Sequence, residues 1–226
     1  MADQYDAAAA EAYECMVEPL TGTFSAALLD AAGVALAGRD VLDVACGSGA
    51  VTLCACARGA IVTACDVSPA MVERCAARSS AAATAVANVM ALPSHWSGRF
   101  DVAVSSFGVI FCGELVAGLK EMARCLRPGG VLIFSAWGSA AETAGYQIIP
   151  QAAAACLPLE LSQKVNPLKK RSEGSVEKLR EALVSAMGEG AADSIRVHGP
   201  ETRALTVESP AAYWTRFAKT SPGLRA

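Results

Sequence analysis

The chain has 226 residues and a formal net charge of -3 at pH 7, with 53% hydrophobic and 18% charged residues. That length suits one domain with a layered core, and that composition excludes a disordered chain. The mildly acidic balance argues against broad nucleic-acid or membrane-surface binding, which draws on a basic face.

The apolar excess is mostly alanine, and no stretch approaches the ~20 uninterrupted apolar residues of a spanning helix. Met1-Ala-Asp-Gln-Tyr-Asp6 has no basic region followed by an apolar one, so no secretory signal is read there. The 9 cysteines are scattered singly, with Cys54 and Cys56 the closest pair, and only His95 and His198 accompany them. They read as small buried apolar residues in a reducing compartment, the cytoplasm, and no metal site is expected.

Residues 5 to 37 read as helices leading into a first strand, Val41 to Ala45. A helix from Ala50 to Arg58 follows, closed by Gly59, and a second strand runs from Ile61 to Cys65. Ser68-Pro69 starts the next helix, with Ser supplying the capping oxygen and Pro giving up no needed N–H. It runs to about Arg78. Ala82 to Ala87 is a weaker third strand and Asp101 to Ser105 a fourth. Glu114 to Leu126 is helical, with Leu115, Leu119, Met122 and Leu126 at helical spacing. Arg127-Pro-Gly-Gly130 reads as a tight turn, and Val131 to Trp137 as a fifth strand.

Residues 138 to 190 read as irregular helices broken by Pro150, Pro158 and Pro167, with Lys169-Lys170-Arg171 as a solvated basic run. Ser194 to His198 and Arg203 to Val207 read as late strands, and Ser209-Pro210 starts another helix. Alternating strands and helices give an α/β fold with a doubly wound, mainly parallel sheet in the order 3-2-1-4-5 plus late strands. One domain is expected over 1-226, with 1-37 a helical cover and 138-190 a cover over substrate.

Four segments carry chemistry. In Val41-Leu-Asp43-Val-Ala45-Cys-Gly47-Ser-Gly49, a Gly-rich turn joins strand to helix and lets a ligand approach the backbone. The third glycine of a dinucleotide fingerprint is replaced by Thr52. Asp43 would repel a pyrophosphate and attract a cation, so the expected ligand is a nucleoside with a positive group and no phosphates. S-adenosylmethionine fits that description. The plainer alternative is a strand-turn-helix with a capping Asp.

Asp66, ending the second strand in Asp66-Val67-Ser-Pro-Ala-Met71, can accept from both ribose hydroxyls, or it can cap the next helix. After the third strand, Asn88 can accept from an adenine amino group and the N–H of Val89 can donate to the ring; the alternative for Asn88 is a turn. Ser105, Ser106 and Phe107 close the fourth strand, where open α/β sheets bind ligands. Phe107 and Phe111 are read equally well as core aromatics.

Together these residues resemble the class I S-adenosylmethionine-dependent methyltransferases, in particular the small-molecule enzymes of ubiquinone and menaquinone biosynthesis. The resemblance spans residues ~5 to 138. It rests on Val41 to Gly49, Asp66 to Met71, Asn88 through Leu92-Pro93, Phe100-Asp101 and Glu121 to Gly130, in that order and spacing. It implies a Rossmann-like methyltransferase fold. It also implies that Asp43, Ala45, Gly47 and Gly49 hold the methionine part and ribose, and that Asp66 and Val67 flank the ribose hydroxyls. Met71, Asn88 and Val89 would lie at the adenine, Ser105 and Ser106 at the reactive end, and Tyr5 and Tyr13 over the cofactor. Two departures stand out. Asn88 replaces the family's usual Asp. The chain also stops near the helix that begins at Pro210, where relatives add a final strand.

The expected reaction is in-line transfer of methyl from sulfonium to a small organic acceptor, leaving S-adenosylhomocysteine. No catalytic base is assigned: His95 falls in a turn on the side away from the site, and His198 in a late strand. Ser105-Ser-Phe-Gly108 stands where enzymes that methylate DNA amines have Asn/Asp-Pro-Pro-Tyr/Phe, and no Pro-Cys pair is present for cytosine C5 chemistry. Two other readings remain. One is a non-catalytic methyltransferase-like partner protein that only binds the adenosyl ligand. The other is a nicotinamide oxidoreductase, which Thr52 and Asp43 oppose.

Overall fold

A computed structural model describes residues 6–138 and 175–203, with scattered positions between 143 and 215. The N-terminal segment forms three short helices, α1 (Ala7–Met16), α2 (Glu18–Thr21) and α3 (Ser25–Asp30). Asp6 caps α1, its Oδ1 accepting from the Ala9 N–H at 2.7 Å. Then come β1 (Asp40–Val44), α4 (Ala50–Ala57), β2 (Ile61–Asp66), α5 (Pro69–Arg78), β3 (Ala83–Val86), β4 (Phe100–Ser106), α6 (Leu115–Cys125) and β5 (Leu126–Ser135). The last long helix is α7 (Val176–Met187).

The five strands are all parallel and lie in the order β3-β2-β1-β4-β5. Val41 to Val44 are all buried because a parallel sheet is covered on both faces. Alternation splits them. Val41, Val62, Val102 and Val104 pack with Leu29 and Val51 of α3 and α4. Leu42, Val44 and Ala103 pack on the opposite face with Leu119 and Met122 of α6. Helix α7 lies on α6 through Ala182, Leu183 and Ala186. Ser68 caps α5 as expected, its Oγ accepting from the Met71 N–H.

Two expectations fail. Arg127 to Gly130 does not separate helix from strand. It is a bulge inside β5: Phe100 pairs with Leu126 and Val102 with Val131, so extra residues are looped out. Gly129 takes a positive φ of 79° there. The bulge swings Arg127 onto Asp40 (2.6 Å) and Asp101 (2.8 Å), across the amino ends of β1 and β4. Ser194 to His198 is not a strand. Ser194 ends a 3-10 turn that starts at Glu189, with its Oγ donating to the Ala191 carbonyl at 2.7 Å. Val197 stays about half exposed, and no ladder among the described residues buries it. Arg203 is also outside any strand; residues 204–207, the basic run 169–171 and most of 138–174 lie outside the described residues. Ser209 Oγ accepts from the Ala212 N–H at 3.1 Å, in keeping with a helix start there.

Candidate functional site

A small cleft, with a cavity volume of about 30 Å³, opens at the carboxyl ends of the central strands, lined in part by Tyr13, Glu18, Asp43, Ala45, Gly47 and Ser106. This is the crevice that an open α/β sheet leaves where strand order reverses, here between β1 and β4. Gly47 (φ 55°) and Gly49 (φ 99°) adopt left-handed conformations in the turn from β1 to α4. At Gly49 the backbone also runs against α5: an added Cβ would sit 2.9 Å from Cys75 Sγ. Cys46, which lines the cleft, hydrogen-bonds Cys75; the contact raises the Cys46 thiol and lowers that of Cys75.

Asp43 is buried beneath this turn. Thr52 Oγ1 donates to its Oδ2 at 2.6 Å, which gives the residue in the third-glycine position a structural role. Asp43 Oδ1 is buried and has no partner. Burial, the dominant cause, pushes the carboxyl up to about 7; Asp66 adds repulsion, and the Thr52 bond acts the other way.

Asp66 Oδ2 accepts from the Gly47 N–H (3.0 Å) and Oδ1 from the Ser68 N–H (2.9 Å). Burial raises its carboxyl and these backbone bonds oppose the rise. The structure therefore brings Asp43, Ala45, Gly47, Gly49 and Asp66 together. Val67 is partly exposed, and Met71 is buried on α5. Asn88 is exposed and its Oδ1 accepts from the Met90 N–H at 2.9 Å, so its side chain closes a turn. Val89 is half-buried beside it. The two serines part company: Ser106 lines the cleft, whereas Ser105 is buried with its Oγ accepting from the Val109 N–H at 2.9 Å. Tyr13 approaches Gly47, and Tyr5 lies outside the described residues. His95 is in a 3-10 turn before β4, at the amino ends of the strands, away from the cleft.

Sequence reasoning missed Glu18. It lines the cleft and accepts from Ser48 Oγ, while Arg78 of α5 holds it at 2.7 and 2.8 Å and also donates to the Ser48 carbonyl. Arg74 of α5 pairs with Glu14 of α1. These ion pairs join residues 60 apart in sequence, so no local pattern announces them.

Residues 42–134 match the methyltransferase domain family. The match runs from β1 to β5 and takes in Asp43, the glycine turn, Asp66 and Ser106. An uncharacterised protein of Mycobacterium tuberculosis is 35% identical over 129 residues, 55% of this chain and 46% of that protein. The malonyl-[acyl-carrier protein] O-methyltransferase of Salmonella typhimurium is 38% identical over 109 residues, 47% of this chain and 43% of that enzyme. The chain thus spans about half the length of the curated relatives it matches. The chain also shares its fold with phosphoethanolamine N-methyltransferase 2 of Haemonchus contortus, solved with phosphomonomethylethanolamine and S-adenosylhomocysteine. That likeness has a TM-score of 0.62 at 18% identity and covers 82% of this chain and 43% of that one. Among the described residues, no helix is long and apolar enough to cross a membrane.

Proposed function

We propose that the chain binds S-adenosylmethionine in the cleft and transfers its methyl to a small organic acceptor. Asp43 carries this reading. Its unpartnered Oδ1 leaves a buried acceptor under the glycine turn that a positively charged ligand satisfies and a pyrophosphate does not. When bound, S-adenosylmethionine supplies a methyl on a sulfonium, which leaves as a neutral thioether.

The chain's own part is to hold and orient. Asp66 Oδ2 accepts from the Gly47 N–H and Oδ1 from the Ser68 N–H, and the carboxylate keeps acceptor capacity for the ribose hydroxyls. Gly47 and Gly49 allow close backbone approach. Val67, Met71, Asn88 and Val89 border the adenine, with Asn88 offering the lone pair its turn leaves over. Ser106 flanks the reactive end above buried Ser105, and Tyr13 with Tyr5 closes over the cofactor. Alignment of acceptor, methyl and sulfur supplies ~7–11 kcal/mol of the barrier reduction, so a base matters only where the acceptor must lose a proton. Residues 1–226 act as one domain in this reading, with 1–37 and 138–190 over the crevice. Its nine free thiols suit the cytoplasm. Likeness to an O-methyltransferase of malonyl groups makes small acyl carboxylates the first acceptors to screen.

The test is calorimetric titration with S-adenosylmethionine, S-adenosylhomocysteine and NAD, on the wild-type chain and on Asp66→Ala. Both adenosyl ligands should bind, NAD should not, and the variant should lose binding. A folded wild-type chain that binds neither adenosyl ligand refutes the proposal.

A further inference from the structure

Among the described residues, two other than glycine hold left-handed backbone: Ala45 at φ 55° and Phe107 at φ 54°. Each follows a central strand, Ala45 after β1 and Phe107 after β4, and each adjoins the cleft: Ala45 lines it, and Phe107 follows Ser106, which does. Side chains with a Cβ disfavour this conformation, so surrounding contacts must maintain it.

For Phe107 those contacts are visible. Its N–H donates to Ser135 Oγ at 3.0 Å, and Ser135 is the last residue of β5. Its ring stacks on Trp137, with centroids 4.2 Å apart and planes 19° apart, and meets the edge of Phe24 at 5.4 Å. Next in sequence, Gly108 presses on the other strained turn. A Cβ there would fall 2.5 Å from Ala45 Cβ and 3.0 Å from the Ala45 carbonyl oxygen. The exits of β1 and β4 are thus keyed to each other, and the key is held from β5.

We propose that Ser135 is a positioning residue for the cleft. It is not among the residues lining the cleft, and it acts through the Phe107 N–H. Without its hydroxyl, Phe107 relaxes toward negative φ, Gly108 moves off Ala45, and Ala45 and Ser106 lose their spacing. This inference rests on the reading that the cleft takes an adenosyl ligand.

S-adenosylhomocysteine is the probe, titrated calorimetrically into the full chain, with a melting curve for each variant. Ser135→Ala should weaken binding about tenfold, and Ser135→Thr, which keeps the hydroxyl, should restore it to within about twofold. In a Phe107→Gly background, where glycine takes the positive φ unaided, the same Ser135→Ala change should alter affinity by less than about twofold. Should Ser135→Ala not fold, Trp137→Leu removes the stack that holds Phe107 and should weaken the probe as well. A Ser135→Ala chain that melts earlier but binds equally well overturns the inference, as does an equal loss in both backgrounds or a Trp137→Leu chain with unchanged affinity. A folded wild-type chain that does not bind overturns the proposed function, and this inference with it; that failure appears in the wild-type titration alone.

Discussion

Replacing Asp43 by Asn should change how stability depends on pH, in a direction fixed by the structure. The Asp43 carboxyl titrates near its ordinary 3.8 in the unfolded chain and at about 7 in the fold. Between those values the folded chain holds one proton more than the unfolded chain. Stability therefore falls as pH rises from about 4 to about 7, and this group contributes its destabilisation in full above that window. The rise from 3.8 to about 7 corresponds to about 4 kcal/mol. Asn keeps an acceptor for Thr52 Oγ1 and has no charge to bury. Urea unfolding of both ligand-free chains at pH 5, 6, 7 and 8 gives the difference in free energy, in which most other titrating groups cancel. Relative to the wild type, Asp43→Asn should gain stability steadily up to pH 7 and level off. A difference that stays flat across that range would mean that Asp43 is not a buried carboxyl of raised affinity for protons, and the argument from its unpartnered oxygen would fall with it.

Two further predictions concern the scaffold of the site. Gly49→Ala should cost about 2–3 kcal/mol, since it adds a Cβ at φ 99° and 2.9 Å from Cys75 Sγ; in a Cys75→Ala chain the loss should shrink but not vanish, as denaturant melts will show. Arg78→Met should loosen α2 from α5 by removing the cation that holds Glu18, so hydrogen exchange should quicken at residues 18–24 while β1 and β4 stay protected; unchanged exchange at 18–24 would exclude the Arg78–Glu18 pair as the tether.

The strands were legible because burial on both faces writes near-continuous apolar runs, as in Val41 to Val44, and because Ser68-Pro69 and Gly59 punctuate them. Asp43, Gly47 and Asp66 were legible because backbone chemistry at a tight turn permits few residue types. Local bonding hid the rest. Arg127-Pro-Gly-Gly130 has turn composition, yet β4 continues the ladder past it and makes it a bulge. Ile195 and Val197 alternate like a strand, yet hydrogen bonds of Ser194 and Arg196 to nearby carbonyls hold the segment in an irregular path. Asn88 offered two readings, an acceptor for a ligand and a turn residue, and its Oδ1 accepts from the Met90 N–H. The Glu18–Arg78 clasp and the Ser135–Phe107 bond join distant segments, and single-sequence periodicity carries no such pairing.

The Arg127 bulge has a meaning for how such a chain can be altered. Asp40, Asp101 and Arg127 fasten the amino ends of β1, β4 and β5, at the opposite end of β4 from Ser106. Anchorage and the cleft thus occupy opposite poles of one sheet. Substitutions at the anchored pole alter how firmly the strands are gathered and leave the opposite rim's shape to its own turns. An engineer can place a surface tether or a stabilising change there, and descent can rework the other rim, with each pole largely indifferent to the other.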